Sequence, residues 1–119
     1  MITKSALTLQ QEWDVLTAKL ARLFGGKKPD LNGVLLLIGV QELGQGPRNF
    51  DKEEKQDLMH IAICKVLSLS GIYELEGVDK DGWPHWQLVK KLPFLDLLSQ
   101  EDLLKMHVIE YFEQEIGGL

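Results

Sequence analysis

The sequence predicts a mainly α fold of four to five helices, with one β-hairpin over about residues 72–89 inserted before the last helix. Apolar residues recur at spacings of three and four along most of the chain, which is the period of an amphipathic helix. Strict alternation of apolar and polar residues, the strand period, is confined to the segment around "DKDG" at residues 79–82. The breaker-rich segments "GGKKP" and "GQGP" separate the first three helical stretches.

The first helix is predicted from about Thr3 to Phe24, where Gly25 and Gly26 end it. An apolar stripe runs along its whole length: Ile2, Ala6, Leu9, Trp13, Leu16, Leu20 and Leu23. The stripe either packs against other helices of the same domain or forms the contact of a coiled-coil dimer. In a dimer, Trp13 would be the anchor of the interface, because large aromatic residues contribute most to such contacts.

The second helix is predicted over about Leu31–Leu43, with Asp30 as its N-cap and Gly44 following its C-terminus. Nearly every side chain between residues 34 and 40 is apolar, and a short helix of this kind is buried at the centre of a bundle. We therefore expect Leu36 and Ile38 to be buried. A buried strand over residues 34–40 is the alternative, which the following "QELG" disfavours.

The third helix is predicted over about Lys52–Ser70, because Asp51 and Glu54 have the spacing of a capping box and Gly71 follows. The apolar residues expected at the centre of its buried face are Met59, Ala62, Ile63, Val66 and Leu69, with Leu58, Ile61 and Leu67 at its flanks.

The hairpin is predicted with a four-residue loop, Asp79–Gly82. This register sorts apolar side chains onto one face and polar side chains onto the other. The predicted pairs are Leu75 with Trp86, Tyr73 with Leu88, Glu76 with His85, and Glu74 with Gln87.

The last helix follows "PFLDLL", residues 93–98, which reads as a turn or a short helix. Ser99 and Asp102 provide a capping signal for it. The residues expected on its inner face are Leu103, Leu104, Val108, Tyr111 and Phe112.

Composition predicts one domain over residues 1–119 and excludes several classes of protein. The chain is 45% hydrophobic and 26% charged, which is ordinary for a globular protein, and its formal charge of −5 opposes binding to phosphate backbones. The single cysteine, Cys64, permits no intrachain disulfide and fits a reducing compartment. The N-terminus lacks the apolar core of a signal peptide, and the longest apolar run, Val34–Val40, is far shorter than the roughly 20 residues of a membrane span. We expect a cytoplasmic protein without membrane association.

The stretch "GVDKDGWPHWQL", residues 77–88, does not match a calcium loop. An EF-hand has glycine at position 6 and glutamate at position 12. When Gly82 is placed at position 6, Gly77 and Leu88 fall at positions 1 and 12, and neither carries a carboxylate. The aspartates are instead typical of a turn.

Two segments are candidate ligand sites. Trp83 and His85 are predicted on the outer face of the hairpin, where they could stack on a ligand, although the favoured interpretation is that Trp83 covers a neighbouring helix. Arg48 in "ELGQGPRNF" could hold an anion with Glu42 beside it, although loop arginines more often pair with a local carboxylate.

A polar stripe with the residue types of a metal site lies on the third helix: Glu53, Asp57, His60 and Cys64. We interpret it as the solvated side of the helix, since the apolar face is predicted opposite. A cysteine–histidine nucleophile is disfavoured, because no third group or oxyanion donor accompanies the pair. No metal, cofactor or catalytic residue is predicted.

The segments "LNGVLLLIGVQELGQGPRNFDKEEKQDLMHIAICKVLSLSGIYELEG" and "DGWPHW" make the chain similar to a small bacterial family of uncharacterised conserved proteins. The resemblance covers most of the chain. It implies a bacterial cytoplasmic protein of unknown function, and it carries over no activity, cofactor or site residue.

The architecture also loosely resembles a winged helix, with Lys52–Ser70 as recognition helix and Asp79–Gly82 as the tip of the wing. Such surfaces are usually basic in DNA-binding proteins. Here they carry acidic clusters: Glu53, Glu54 and Asp57 on the helix, and Glu74, Glu76, Asp79 and Asp81 on the hairpin. The resemblance therefore implies a scaffold for protein contacts, and nucleic acid is disfavoured as a partner.

The sequence thus favours a non-enzymatic protein-interaction module whose partner is another protein or a second copy in a homodimer. The first alternative is a winged-helix-like nucleic-acid-binding protein, and the next is a small enzyme or ligand binder that uses Arg48, Glu42 or His60. The candidate ligand-binding residues are Glu42, Arg48, Trp83 and His85, and the candidate interface residues are Leu9, Trp13, Leu16 and Leu20.

Overall fold

The computed structural model describes residues 7–92, 96–115 and 117. Within them the chain is mainly α, with four helices and a two-stranded antiparallel hairpin before the last helix, which confirms the predicted fold class. The chain divides into two compact units, one of residues 1–30 and 95–119 and the other of residues 31–94. The single domain expected over residues 1–119 stays a prediction.

The first unit contains α1 (Leu9–Phe24) and α4 (Leu97–Gln114), which contact each other. α1 begins at Leu9 because Thr8 is extended and caps it: Thr8 Oγ1 accepts from the Gln11 amide at 3.2 Å, and Gln11 Oε1 accepts from the Thr8 amide at 2.9 Å. The predicted start at Thr3 is therefore wrong, since Leu7 and Thr8 are not helical. The stripe residues Ile2 and Ala6 lie outside the described residues.

α4 begins one turn earlier than its predicted capping signal. The Asp96 side chain accepts from the Ser99 amide at 2.8 Å, so Asp96 is the cap, and Ser99 lies inside the first turn. The end of "PFLDLL" thus belongs to α4 itself, while residues 93–95 lie outside the described part of the chain. The buried residues of α4 are His107, Val108, Ile109, Tyr111 and Phe112, whereas Leu103 and Leu104 are partly exposed.

The second unit is built on α2 (Leu31–Leu43) and α3 (Lys52–Ser68), which contact each other. α2 has the predicted bounds, and Gly44 follows it with a φ of 71°, a left-handed conformation that favours glycine. Ile38 is buried as expected, but Leu36 is partly exposed, so the helix is less central than predicted.

No helix in residues 7–92 or 96–115 has the length and apolar character needed to cross a membrane.

α3 has the predicted capping box: Asp51 Oδ1 accepts from the Glu54 amide at 2.8 Å, and Glu54 Oε1 accepts from the Asp51 amide at 3.1 Å. The helix ends at Ser68, two residues earlier than predicted. Its buried residues are Leu58, Ile61, Ala62, Cys64, Val66 and Leu67, while Met59, Ile63 and Leu69, expected near the centre of the buried face, are partly exposed. The residues predicted at the flanks, Leu58, Ile61 and Leu67, are buried, so the covered face of α3, which both α2 and the hairpin contact, is rotated from the predicted one.

The hairpin consists of β1 (Tyr73–Val78) and β2 (Pro84–Leu88). Three predicted pairs are confirmed: Tyr73 with Leu88, Glu74 with Gln87, and Leu75 with Trp86. The fourth is wrong, because Gly77 and not Glu76 lies opposite His85, and the register shifts between Leu75 and Gly77.

The shift follows from the length of the loop. Asp79 N donates to Trp83 O at 2.9 Å, so Trp83 joins a five-residue loop, Asp79–Trp83, in place of the predicted four residues. The irregularity in β1 absorbs the extra residue and restores the predicted pairing beyond it.

Candidate functional site

A concave pocket of about 320 Å³ lies between α3 and the hairpin. We name it the hairpin cleft and define it by the residues that line it: Asp57, His60, Ile61, Asp79, Trp83, Pro84, His85 and Trp86. α3 supplies the first three residues, and the loop and β2 supply the others. The cleft therefore forms only when the hairpin packs on α3.

On the α3 side, the polar residues of the cleft are exposed and an apolar residue is buried beneath them. Asp57 and His60 are three residues apart on one helical face, so both reach the cleft, while Ile61 is only 5% exposed. The sequence singled out Asp57 and His60 as members of a solvated stripe, which is correct for these two side chains. The stripe does not continue, because Cys64 is completely buried.

On the hairpin side, a histidine and a carboxylate form a close pair. His85 Nε2 lies 2.8 Å from Asp79 Oδ2, and both side chains are exposed. Asp79 Oδ1 also accepts from the amides of Asp81 at 2.9 Å and Trp83 at 3.0 Å. The hydrogen bond with His85, followed by those from the Trp83 and Asp81 amides, lowers the pKa of Asp79 below its ordinary value.

Two tryptophans line the cleft together with Pro84. Trp83 and Trp86 are both partly exposed, so the structure brings the candidate ligand residue Trp83 together with a tryptophan that the sequence assigned to the inner face. The Trp86 indole Nε1 is shielded from solvent and has no hydrogen-bond partner among the residues that the structure describes. A buried donor of this kind reduces stability, since water would otherwise hydrogen bond to it.

Glu42 and Arg48, the other candidate ligand residues, do not line the cleft. Arg48 Nη2 lies 3.0 Å from Glu54 Oε2, and the guanidinium carbon lies 4.3 Å from the centre of the Phe50 ring. Glu42 Oε1 on α2 lies 3.9 Å from Lys65 Nζ on α3. Arg48 therefore pairs with a local carboxylate, which is the alternative that the sequence left open.

Cys64 has the properties of a core residue. Burial raises the pKa of its thiol to about 11, which keeps it protonated and unreactive at neutral pH. Its Sγ lies 3.8 Å from His60 Nε2, but a neutral buried thiol opposes the nucleophilic role. Among the described residues, no three or more His, Cys, Asp or Glu side chains are grouped so that they could hold a metal ion.

The candidate interface residues lie on α1. Trp13, Leu16 and Leu20 are buried within the chain, and Leu9 is partly exposed. The Lys105 ammonium on α4 lies 5.4 Å from the centre of the Trp13 ring. The exposed apolar surface of α1 is instead formed by Val15, Leu23 and Phe24.

Comparison with protein-family models, curated proteins and solved structures finds no match to this chain.

Proposed function

We propose that the chain is a non-enzymatic interaction module that binds a segment of a partner protein in the hairpin cleft. The observation that carries this proposal is the presence of Trp83 and Trp86, both partly exposed, in one concave surface beside exposed polar side chains. Aromatic residues in such positions contribute strongly to protein–protein binding. We also propose that the chain belongs to the uncharacterised bacterial family and lies in the cytoplasm. The single cysteine supports the cytoplasmic location.

The charge of the surface favours a protein partner over nucleic acid. The hairpin exposes four carboxylates, on Glu74, Glu76, Asp79 and Asp81. Glu53 and Asp57 are exposed on α3, which would be the recognition helix of a winged-helix protein. Carboxylates on both surfaces would repel a phosphate backbone.

An enzyme is the less supported alternative. The candidate residues for an enzyme are Glu42, Arg48 and His60. Only His60 lines the cleft. Glu42 and Arg48 take part in separate ion pairs, with Lys65 and Glu54.

Self-association is a second candidate function, supported by exposed apolar side chains in the first unit. Leu23 and Phe24 on α1 are 62% and 67% exposed, and Leu98 and Met106 on α4 are 69% and 55% exposed. A homodimer would bury such residues more readily than Trp13, which is already covered.

The proposal is tested by selecting peptides from a displayed random library on the purified chain and mapping the bound peptides by ¹H–¹⁵N NMR. We expect selected peptides to shift the indole signals of Trp83 and Trp86 and to lose binding in the Trp83→Ala variant. Phe24→Ala is the control, because Phe24 is exposed but does not line the cleft. Shifts confined to residues outside the cleft would contradict the proposal, and salt-sensitive retention of a DNA duplex at physiological salt would favour the nucleic-acid alternative.

A further inference from the structure

We infer that the hairpin cleft recognises an arginine side chain of the partner segment. This inference rests on the proposed function and specifies the chemistry of the ligand. It follows from the aromatic rings, the carboxylates and the charge surrounding the cleft.

The aromatic rings and a carboxylate provide the two contacts that a guanidinium group requires. Trp83 and Trp86 offer ring surface, on which a guanidinium can stack through cation–π attraction. Asp57 lies on the opposite side of the cleft and is exposed. Among the described residues, its carboxylate makes no hydrogen bond or ion pair, so it is available to a cationic ligand. Arginine suits such a site better than lysine, because its planar group can stack and pair at the same time.

The same unit already holds one guanidinium in this way. The Arg48 guanidinium lies 4.3 Å from the centre of the Phe50 ring and 3.0 Å from Glu54 Oε2. Arg48 thus shows a guanidinium in contact with an aromatic ring and a carboxylate at the same time. The cleft presents the same two groups without an arginine of its own among its lining residues.

The surrounding charge also favours a cation over an anion. Across residues 73–88 the hairpin carries four carboxylates and one lysine, Lys80, all of them exposed. His85 is directed at Asp79, which reduces its availability to an anionic ligand. Trp86 Nε1 is shielded from solvent, so the side-chain donors left to an anionic ligand in the cleft are the Trp83 indole and His60. An anionic ligand would thus meet repulsion with few donors to offset it.

The experiment compares two blocked tripeptides, Ac-Gly-Arg-Gly-NH₂ and its neutral isostere with citrulline in place of arginine, by NMR titration of the Trp83 and Trp86 indole signals. We expect saturable shifts with the arginine peptide and at least about threefold weaker binding of the citrulline peptide, since citrulline keeps nearly the same shape but loses the charge and has an oxygen in place of one donor nitrogen. Asp57→Asn should weaken binding of the arginine peptide about three- to tenfold. Glu53→Gln is the matched control, because Glu53 is exposed one turn earlier on α3 and does not line the cleft.

Equal binding of the two tripeptides, or tighter binding of Ac-Gly-Glu-Gly-NH₂, would overturn the arginine inference and leave the interaction module intact. If library-selected peptides bind in the cleft but the arginine tripeptide causes no shift of the indole signals, the arginine inference is again overturned and the interaction module remains intact. Failure of both the tripeptides and the selected peptides to shift the cleft signals would overturn the inference together with the proposed function.

Discussion

Asp79 connects the local structure of the hairpin loop to the polar surface of the cleft. One of its carboxylate oxygens accepts from the amides of Asp81 and Trp83 and so closes the loop, while the other lies 2.8 Å from His85 Nε2. The sequence identified Asp79 as a turn residue, and it is one. Its second role depends on the five-residue loop and the register shift, which place His85 opposite Gly77.

At the residue scale, we predict that His85→Ala raises the pKa of Asp79 towards its ordinary value, because the largest cause of its depression is removed. The two amide hydrogen bonds remain, so the recovery should be partial. A ¹³C NMR titration of the side-chain carboxyl groups measures this. Asp96 is an internal control, since the Ser99 amide and side chain lower its pKa independently of His85.

The sign of the linked effect on stability follows from the depressed pKa. A carboxyl group whose pKa is lower in the folded state stabilises the fold at pH values above its unfolded pKa, and this stabilisation disappears as pH falls through the folded pKa. The wild type should therefore lose more of its stability in acid than His85→Ala does. An Asp79 pKa that is unchanged in the variant would contradict the assigned hydrogen bond.

At the scale of elements, the packing of α2 on α3 depends on Gly39. A Cβ atom built at this position would lie 2.2 Å from the Leu58 carbonyl oxygen and 2.9 Å from Leu58 Cβ. These distances are far below van der Waals contact, and the carbonyl belongs to a helix backbone that cannot rotate away. The two helices can approach this closely only because residue 39 has no side chain.

We predict that Gly39→Ala lowers the free energy of unfolding by up to about 2 kcal/mol in net terms, because overpacking a core typically costs about 1–3 kcal/mol. The higher helix propensity of alanine, worth about 1 kcal/mol, offsets only part of this cost. Urea denaturation measures the difference. Gly26→Ala is the control, because a Cβ at Gly26 meets no atom within 4 Å. Equal midpoints for Gly39→Ala and the wild type would mean that α2 and α3 are not packed this closely.

At the scale of the whole molecule, the burial of the apolar stripe on α1 shows whether these residues form part of the core or remain available for an interface between copies of the chain. Trp13, Leu16 and Leu20 are 6%, 8% and 2% exposed, so the part of the stripe described by the structure is largely covered by the chain itself. The same helix exposes Leu23 and Phe24 near its C-terminal end. Folding depends on the buried residues of α1, whereas the proposed self-association would use its exposed residues, so mutation can separate the two.

We predict that Trp13→Glu loses much of its helical circular dichroism signal, because it places a charge at a buried position. Phe24→Glu is the matched control on the same helix and should remain folded, since Phe24 is 67% exposed. Sedimentation of the wild type and of Phe24→Glu then tests self-association through the exposed residues. A dimeric wild type whose Trp13→Glu variant is a folded monomer would instead show that the stripe forms the interface.

The sequence by itself determined the features that depend on neighbouring residues. The bounds of α2, the capping box of α3 and three of the four predicted hairpin pairs are correct, because a few adjacent side chains and the alternation of polarity specify them. Trp83 and His85 were identified as candidate site residues for the same reason: both follow a turn within an alternating segment.

Only the tertiary structure decided which surfaces are covered. Cys64 follows His60 by one helical turn and yet is completely buried, because the hairpin and α2 both contact α3. The cleft likewise brings Asp57 and His60 of α3 together with Asp79 and Trp86 of the hairpin, although residues on the two elements are about twenty to thirty positions apart. Helical and strand periods specify which side chains share a face of one element, but they contain no information about which second element packs on that face.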